Sequence, residues 1–277
     1  MSSDPAIRCL GLGKAYQLYA RRSDQVKQLL FGSFRRFHLE YWVLRDIDLE
    51  MQRGESVGII GRNGAGKTTL LRLLCGITQP TCGEINVEGR IAPILALGAA
   101  FDWEMTGRQN VLISGAVLGL RRSDILRRVP SIAEFAAVGP FIDQPVRLYS
   151  AGMRSRLAFA ICVHAEADIL VVDEALAVGD AAFRRKSLAF MESFRRRGTL
   201  ILVTHDMEQI RALCDRVIWV DGGGIRASGT AAEVIQLYDD ASETEDEDGI
   251  RLRLDAEARA ALSQASANRP QAKWRSG

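Results

Sequence analysis

A glycine-rich loop between an apolar run and a helical pattern constrains the fold of this chain more than any other feature. The run, residues 56–60, reads SVGII, and a short, mostly apolar run is typical of a strand buried on both faces of a parallel sheet. The loop at 61–69 reads GRNGAGKTT and matches the pattern GxxxxGK followed by Ser or Thr. A helical pattern follows at 68–75. Together these features predict a phosphate-binding loop in an α/β fold.

The residue types of this loop suit nucleotide chemistry. Glycines let the backbone curl closely around phosphates, so that the amide groups of residues 63–68 can donate to the oxygens. Lys67 places a cation against the β- and γ-phosphates, and the Thr68 hydroxyl can complete the shell of a Mg²⁺ ion. A fortuitous glycine turn is the alternative, and the flanking strand and helix count against it. The predicted nucleotide-binding residues of the loop are Gly61, Arg62, Asn63, Gly64, Ala65, Gly66, Lys67, Thr68 and Thr69.

The bulk composition is that of a soluble globular protein and limits the class of partner. Hydrophobic residues make up 47% of the chain and charged residues 25%. The formal net charge of +2 is too close to zero to indicate nucleic acid as the main partner. Five cysteines without CxxC spacing argue against a zinc site and fit reduced thiols. No apolar segment reaches the roughly 18 to 20 residues that span a bilayer, and the N-terminus lacks a signal-peptide layout, so we expect any membrane role to depend on a partner.

Further strand and helix patterns alternate along the chain. Short β-branched runs stand at 169–172 and 200–204, and helical patterns at 154–165 and 180–197. Alternation of this kind predicts an α/β fold with a parallel sheet. The stretch from about 104 to 165 is mostly helical in pattern, which predicts a separate lobe inserted into the sheet domain.

The run at 169–172 leads into two carboxylates, Asp173 and Glu174. Ligands of open α/β sheets bind at the edge formed by the C-terminal ends of the strands. We expect Asp173 to hold Mg²⁺ through water, and Glu174 to orient or deprotonate the attacking water. A solvated strand end is the alternative for the pair in isolation, and the phosphate-binding loop upstream favours the catalytic role.

A short motif ahead of the helical pattern at 154–165 indicates a family. Residues 148–154 read LYSAGMR, and small residues at a helix start offer N–H donors and a positive dipole end to a phosphate. Alone, the motif would indicate an ordinary Ser-capped helix, but its place between the other motifs resembles the ABC ATPase family, whose LSGGQ signature aligns with residues 149–153. The resemblance implies a RecA-like P-loop core with an inserted helical subdomain, and the ligands ATP and Mg²⁺. It also implies a homodimer in which the signature touches ATP held by the other subunit, through Ser150, Ala151, Gly152 and Met153.

The same resemblance implies roles for other positions. Asp180 matches the D-loop, which crosses the dimer interface, and His205 matches the switch histidine that contacts the γ-phosphate. Tyr16 matches the aromatic residue that stacks on adenine. Tyr41 and Trp42 also precede the loop, and either could serve as the platform instead. The predicted catalytic residues are therefore Lys67, Glu174 and His205.

Finer features resemble the polysaccharide-exporter branch of the family, which exports O-antigen, capsular polysaccharide or teichoic acid. They are YSAGMR at 149–154, DEALAVGD at 173–180, and LGAAF with TGRQN at 97–101 and 106–110. No glutamine stands near Ala96 and Leu97, where most ABC ATPases carry their Q-loop glutamine. We expect coupling to the membrane subunit to rest on Asp102, Trp103 and Glu104 instead.

The chain divides into a nucleotide-binding domain at 1–240, with its helical subdomain at about 104–165, and an acidic linker with a polar tail at 241–277. Residues 21–42 form a basic and aromatic insertion, which suits either anionic lipid headgroups and a lipid-linked glycan or a plain solvated helical hairpin. From the length of the 241–277 tail, we expect this chain to lack the additional sugar-binding β-sandwich of some O-antigen exporters.

These features predict the ATP-hydrolysing subunit of an exporter for a lipid-linked cell-surface polysaccharide. The resemblance implies a homodimer docked on two copies of a membrane permease, at the cytoplasmic face of the inner membrane, with no nucleic-acid partner. An ATPase of another transporter, such as a drug or lipid exporter or an importer, is the first alternative. A non-transport ABC ATPase acting on ribosomes or DNA is the second, although neither a second nucleotide domain nor a long coiled-coil insertion is present in the sequence.

Overall fold

Two β-sheets organise the part of the chain that the computed structural model describes, residues 4–31, 38–94, 101–173 and 180–244. The first sheet is antiparallel and comprises β1 (Ile7–Leu18), β2 (Leu39–Met51) and β4 (Cys82–Val87), in the order β2-β1-β4. The second sheet comprises β3 (Ser56–Ile60), β5 (Ile91–Pro93), β6 (Ile169–Asp173), β7 (Thr199–Val203), β8 (Arg216–Asp221) and β9 (Gly224–Thr230). Its order is β5-β6-β7-β3-β8-β9, with β9 antiparallel to an otherwise parallel sheet.

Helices cover the parallel sheet and build a lobe between β5 and β6. The described helices are α1 (Arg22–Phe31), α2 (Lys67–Leu74), α3 (Gly107–Val117), α4 (Arg122–Ala136), α5 (Ala151–Val163), α6 (Ala181–Phe194), α7 (Met207–Leu213) and α8 (Ala231–Thr244). Two 3-10 turns, Gly139–Asp143 and Val146–Leu148, lead from α4 to α5. The lobe, α3 to α5, lies within the predicted helical stretch.

The apolar runs of the parallel sheet face two separate cores. Ile169 and Val171 of β6 pack with α2 and the antiparallel sheet, whereas Leu170 and Val172 pack with the helical lobe. Successive side chains of a strand point to opposite faces, so a strand covered on both sides must be apolar at every position. This requirement explains why the strand runs are continuous in the sequence, and it confirms the predicted parallel α/β core.

Side-chain caps set the starts of two lobe helices. Thr106 and Gln109 form a capping box at α3, in which Thr106 Oγ1 accepts from the Gln109 amide at 3.2 Å. Ser150 caps α5 by accepting from the amide of Met153 at 3.2 Å. The helix therefore begins at Ala151, three residues earlier than the apolar pattern alone indicates.

The structure describes only part of the insertion at 21–42 and of the tail at 241–277. Residues 22–31 of the insertion form α1 and residues 39–42 belong to β2, while 32–37 lie outside the described residues. Helix α8 continues past the predicted domain boundary at 240 and ends at Thr244, and 245–277 lie outside the described residues. Residues 95–100, which include Ala96 and Leu97, lie outside them as well. Within the described ranges, no helix combines the length and the apolar character needed to cross a membrane.

Candidate nucleotide-binding site

The loop between β3 and α2 adopts a conformation that only glycine tolerates at two positions. Gly61 has φ 148° and Gly66, the N-cap of α2, has φ 106°. A Cβ at Gly61 would lie 2.1 Å from the Val220 carbonyl oxygen, and one at Gly66 would lie 2.7 Å from Leu44 Cδ2. The glycines therefore let the loop lie tightly between β8 and β2 and lead directly into the start of α2.

Lys67 occupies the centre of this loop. Its Nζ donates to the carbonyl of Gly61 at 2.6 Å and to that of Arg62 at 3.0 Å, and the residue is buried. These contacts hold the ammonium group inside the curl of the backbone, where a phosphate oxygen of a nucleotide would lie. The first turn of α2 adds the exposed hydroxyl of Thr68 and the positive end of the helix dipole.

A cleft of about 330 Å³ opens beside the loop and includes two residues of β2. It is lined by residues 62–64 and 66–69 together with Tyr41 and Val43. Trp42 lies on the opposite face of β2, where a Cβ at Gly13 would approach its ring to 2.9 Å. Tyr16 stands directly opposite Tyr41 in the β1–β2 pairing, which places it next to Tyr41 rather than in the described lining. The cleft therefore favours Tyr41 among the aromatic residues.

Parallel strand register brings the predicted Mg²⁺ ligand Asp173 and the predicted catalytic His205 to the edge of the sheet where the loop begins. Asp173 is paired with Val203, and Val203 is paired with Ile59, so these residues form a row across β6, β7 and β3. The loop begins just beyond Ile59, and His205 follows β7 by two residues and is exposed. Asp173, His205 and the loop therefore share the C-terminal edge, as the sequence predicts. Glu174 lies outside the described residues.

The signature and the D-loop position form a second group, on the side of the helical lobe. Asp180 caps α6 by accepting from the Phe183 amide at 2.8 Å, and this hydrogen bond holds the pKa of the Asp180 carboxyl below its usual value. Arg156, one turn into α5, lies 3.7 Å from Asp180 and donates to the Ala136 carbonyl at 2.9 Å. Arg156 thus joins the signature helix to the D-loop position.

The two groups do not meet in one cleft. The described lining of the nucleotide cleft includes neither residues 150–153 nor Asp180. Since Ser150 already accepts the Met153 amide, the amide groups of Ala151 and Gly152 are the donors of the signature that its own cap does not use.

Two residues that stabilise the helical lobe could not be identified from the sequence. Arg156 gave no signal, because a single arginine in a helical pattern looks like any exposed charge. Asn110 stood in the TGRQN segment, but only the structure shows it buried and donating to the carbonyls of Asp102 and Thr106 at 2.9 and 3.1 Å.

Two residues, Thr68 and Asp173, are the expected protein ligands of Mg²⁺. Among the residues that the structure describes, no cluster of three or more His, Cys, Asp or Glu could form a metal cage. Mg²⁺ keeps several waters and is usually held by one or two protein oxygens together with nucleotide phosphates. Thr68 and Asp173 supply an oxygen donor each near the phosphate-binding loop, which fits this pattern.

Comparisons with known proteins agree with this geometry. The family model described as ABC transporter matches residues 44–177. The O-antigen export system ATP-binding protein RfbB of Klebsiella pneumoniae is 41% identical over 239 residues, which cover 84% of this chain and 97% of that protein. The teichoic acids export ATP-binding protein TagH of Listeria monocytogenes is 42% identical over 230 residues, covering 83% of this chain and 68% of that protein.

Solved structures show the same fold. A dimeric ATP-binding cassette in a post-hydrolysis state bound to ADP and Pi has a TM-score of 0.66 at 17% identity, covering 81% of this chain and 98% of that one. An ATP-binding subunit of an ABC transporter has a TM-score of 0.66 at 20% identity, covering 90% and 99%. The fold and the site thus define an ATP-binding cassette with ATPase activity. This chain belongs to the ABC transporter family of ATP-binding proteins.

Proposed function

We propose that this ATPase drives export of a lipid-linked cell-surface polysaccharide. The observation that carries the proposal is the extent of the similarity to RfbB and TagH, whose names state export of O-antigen and teichoic acids. Another relative, the O-antigen export system ATP-binding protein RfbB of Myxococcus xanthus, is 49% identical over 199 residues, which cover 72% of this chain and 46% of that protein. The segments at 149–154 and 106–110, which resemble the same branch, support the assignment from the sequence.

The residues at the sheet edge divide the hydrolysis step among them. Lys67 and the loop amides hold the β- and γ-phosphates, and His205 contacts the γ-phosphate. Glu174 orients the attacking water and accepts its proton as the water oxygen bonds to the γ-phosphorus, and the bond to the ADP oxygen breaks. Thr68 and, through water, Asp173 would hold Mg²⁺, which would neutralise charge on the phosphates.

Completion of each site requires a second copy of the chain. In the proposed homodimer, the N–H groups at the start of α5 face the γ-phosphate held by the other copy, and Asp180 lies at the interface. The separation of the signature from the nucleotide cleft supports this arrangement. The dimeric state named for the structural relative, bound to ADP and Pi, is of the expected kind.

We assign the adenine platform to β2 or β1, with Tyr41 favoured. Tyr41 is part of the cleft lining, whereas Tyr16, the position that the family resemblance indicates, neighbours it across the strand pair. An aromatic ring offers a planar apolar face on which a base can stack. The nucleotide base would then lie between β2 and the loop.

The proposed partners are two copies of a membrane permease, with this chain peripheral at the cytoplasmic face of the inner membrane. The segment that holds Asp102, Trp103 and Glu104 is exposed and is the proposed contact with the permease. Residues 21–42 are the proposed contact with lipid headgroups or with the lipid-linked glycan.

Deletion of the gene tests the proposal. Surface polysaccharide should disappear while lipid-linked polymer accumulates inside the cell, and a plasmid copy should restore export. A copy with Lys67→Ala should be produced normally and fail to restore it, because nucleotide binding is lost. An intact cell surface, or a defect in translation or DNA repair instead, would favour a non-transport ATPase and refute the proposal.

A further inference from the structure

The first turn of α5 is joined to the segment ahead of α3 by contacts that the hydrolysis step does not use. The guanidinium carbon of Arg154 lies 4.8 Å from the centre of the Trp103 ring, within the range of a cation–π interaction. The same guanidinium donates from Nη1 to the carbonyl of Tyr149 at 2.6 Å. One side chain therefore holds both a tryptophan from another segment and the residue that immediately precedes Ser150.

The backbone beneath this contact is fixed on both sides. The amide of Arg147 donates to the Trp103 carbonyl at 3.0 Å, and the amide of Val146 donates to the Met105 carbonyl at 2.9 Å. The side chain of Arg147 also pairs with Glu104 at 3.4 Å. Residues 102–105 and 146–149, which we call the strap, are therefore joined by two backbone hydrogen bonds just ahead of the signature.

A buried asparagine anchors the strap to α3. Asn110 Oδ1 accepts from the Asp102 amide at 2.8 Å, and its Nδ2 donates to the Asp102 and Met105 carbonyls at 2.9 and 3.3 Å. The Trp103 residue, in contrast, is 55% exposed. Since burial does not account for the position of the ring, its defined contact is the one with Arg154.

We propose that Trp103 and Arg154 are a positioning pair that sets the orientation in which residues 150–153 meet the nucleotide of the second copy. Arg154 fixes the turn that contains Ser150 by holding the carbonyl just before it, and the Trp103 ring fixes Arg154. The proposal rests on the shared-site homodimer of the proposed function. It adds that the strap, rather than the helix start alone, determines the geometry of the signature.

Substitutions in the pair should affect the shared site without changing nucleotide binding by the phosphate-binding loop of the same copy. A partly exposed cation–π contact changes an equilibrium by about two- to fivefold. Trp103→Ala and Arg154→Ala should each weaken ATP-dependent association of two copies, and lower kcat, by about that factor. The dissociation constant of a fluorescent ATP analogue on the dilute, monomeric chain should not change. Trp103→Phe and Arg154→Lys, which retain a ring and a cation, should recover most of the loss.

A double-mutant cycle on the purified full chain tests the pair. If the two residues act together, the double alanine variant loses no more than the larger of the two single losses. Arg127→Ala is the matched control, since Arg127 is an exposed lobe arginine paired with Asp124 of its own helix, and its kcat should equal that of the wild type. Thermal unfolding of each variant checks that the lobe remains folded.

Three results would overturn the pair. In the first, the losses of the two single variants add in the double variant. In the second, the single variants keep the kcat and the association of the wild type. In the third, the dilute chain binds the ATP analogue more weakly, and this change accounts for the whole loss of kcat. If the Glu174→Gln chain, which should bind ATP without turnover, shows no association on binding ATP, the shared-site homodimer fails, and the pair fails with it. That outcome is recognised with Trp103 and Arg154 intact and so is distinct from a failure of the pair.

Discussion

At the scale of single residues, the nucleotide loop depends on positions that accept no side chain. Glycine at 61 and 66 was visible in the sequence, but its physical reason was not, because the atoms that a Cβ would strike belong to Val220 and Leu44, far away along the chain. The choice among Tyr16, Tyr41 and Trp42 likewise depends on strand pairing and on which face of β2 each ring occupies. Sequence spacing alone could not decide it.

Replacement of Tyr41 tests the adenine platform. Tyr41→Ala should weaken ATP binding by about two- to tenfold, the usual contribution of an aromatic stacking contact. Fluorescence titration with ATP and with inorganic triphosphate separates the base from the phosphates, and binding of triphosphate should not change. Tyr16→Ala is the control on the neighbouring strand. A larger loss in that variant than in Tyr41→Ala would return the platform to Tyr16.

At the scale of elements, the three central strands of the parallel sheet were predicted from the sequence, and the supports of the lobe were not. Strands covered on both faces are continuous apolar runs, so β3, β6 and β7 could be identified directly from the sequence. The pairing of residues 102–105 with 146–149 joins segments that are remote in sequence, and no periodicity signals it. The side chain of Asn110 forms hydrogen bonds with residues 102–106. Because asparagine is polar, the sequence suggests a surface residue, whereas the structure shows that Asn110 is buried.

Removal of the Asn110 side chain should destabilise the lobe. Asn110→Ala leaves the Asp102 amide without its acceptor and removes the side-chain donor from the carbonyls of Asp102, Met105 and Thr106 at a partly buried place, and such losses cost about 1–3 kcal/mol in the free energy of unfolding. Urea denaturation followed by circular dichroism measures the change. Ile113→Ala, on the exposed side of α3, should stay within about 0.5 kcal/mol of the wild type. Equal stability of both variants would contradict this role.

The packing of α4, α5 and α6 around His164 predicts a dependence of stability on pH. Burial lowers the pKa of His164, a hydrogen bond with the Ala160 carbonyl partly opposes the shift, and Arg128 and Lys186 lower the pKa further. Below the ordinary value of about 6.5, the unfolded chain binds a proton that the folded chain does not. His164 should therefore make its full contribution to the free energy of unfolding above that pH. This contribution should be lost as the pH decreases through the lowered pKa.

His164→Gln isolates this contribution, because glutamine does not titrate. When the pH is lowered from about 7 to about 5, the free energy of unfolding of the wild type should decrease more than that of His164→Gln. Denaturation curves at several pH values measure it. Parallel pH profiles of the two proteins would show that His164 titrates normally.

At the scale of the whole molecule, the predicted site residues fall into two groups that one chain does not bring into one cleft. The loop, Asp173 and His205 share the edge of the parallel sheet, and Ser150 and Asp180 belong to the lobe side. The family resemblance predicted this division. Composition and periodicity could not have predicted it, because they do not specify how two copies of a chain face one another. ATP bound between two copies is the state in which both groups would act on one phosphate.

The molar mass of the ATP-bound chain tests this account most directly. Glu174→Gln should bind ATP without turnover, and sedimentation should show a dimer with ATP and a monomer with ADP. Glu174→Gln combined with Ser150→Arg should bind ATP with the same affinity and remain monomeric, because the arginine blocks the signature surface. A Glu174→Gln chain that stays monomeric at saturating ATP, or a double variant that still dimerises, would contradict the shared site.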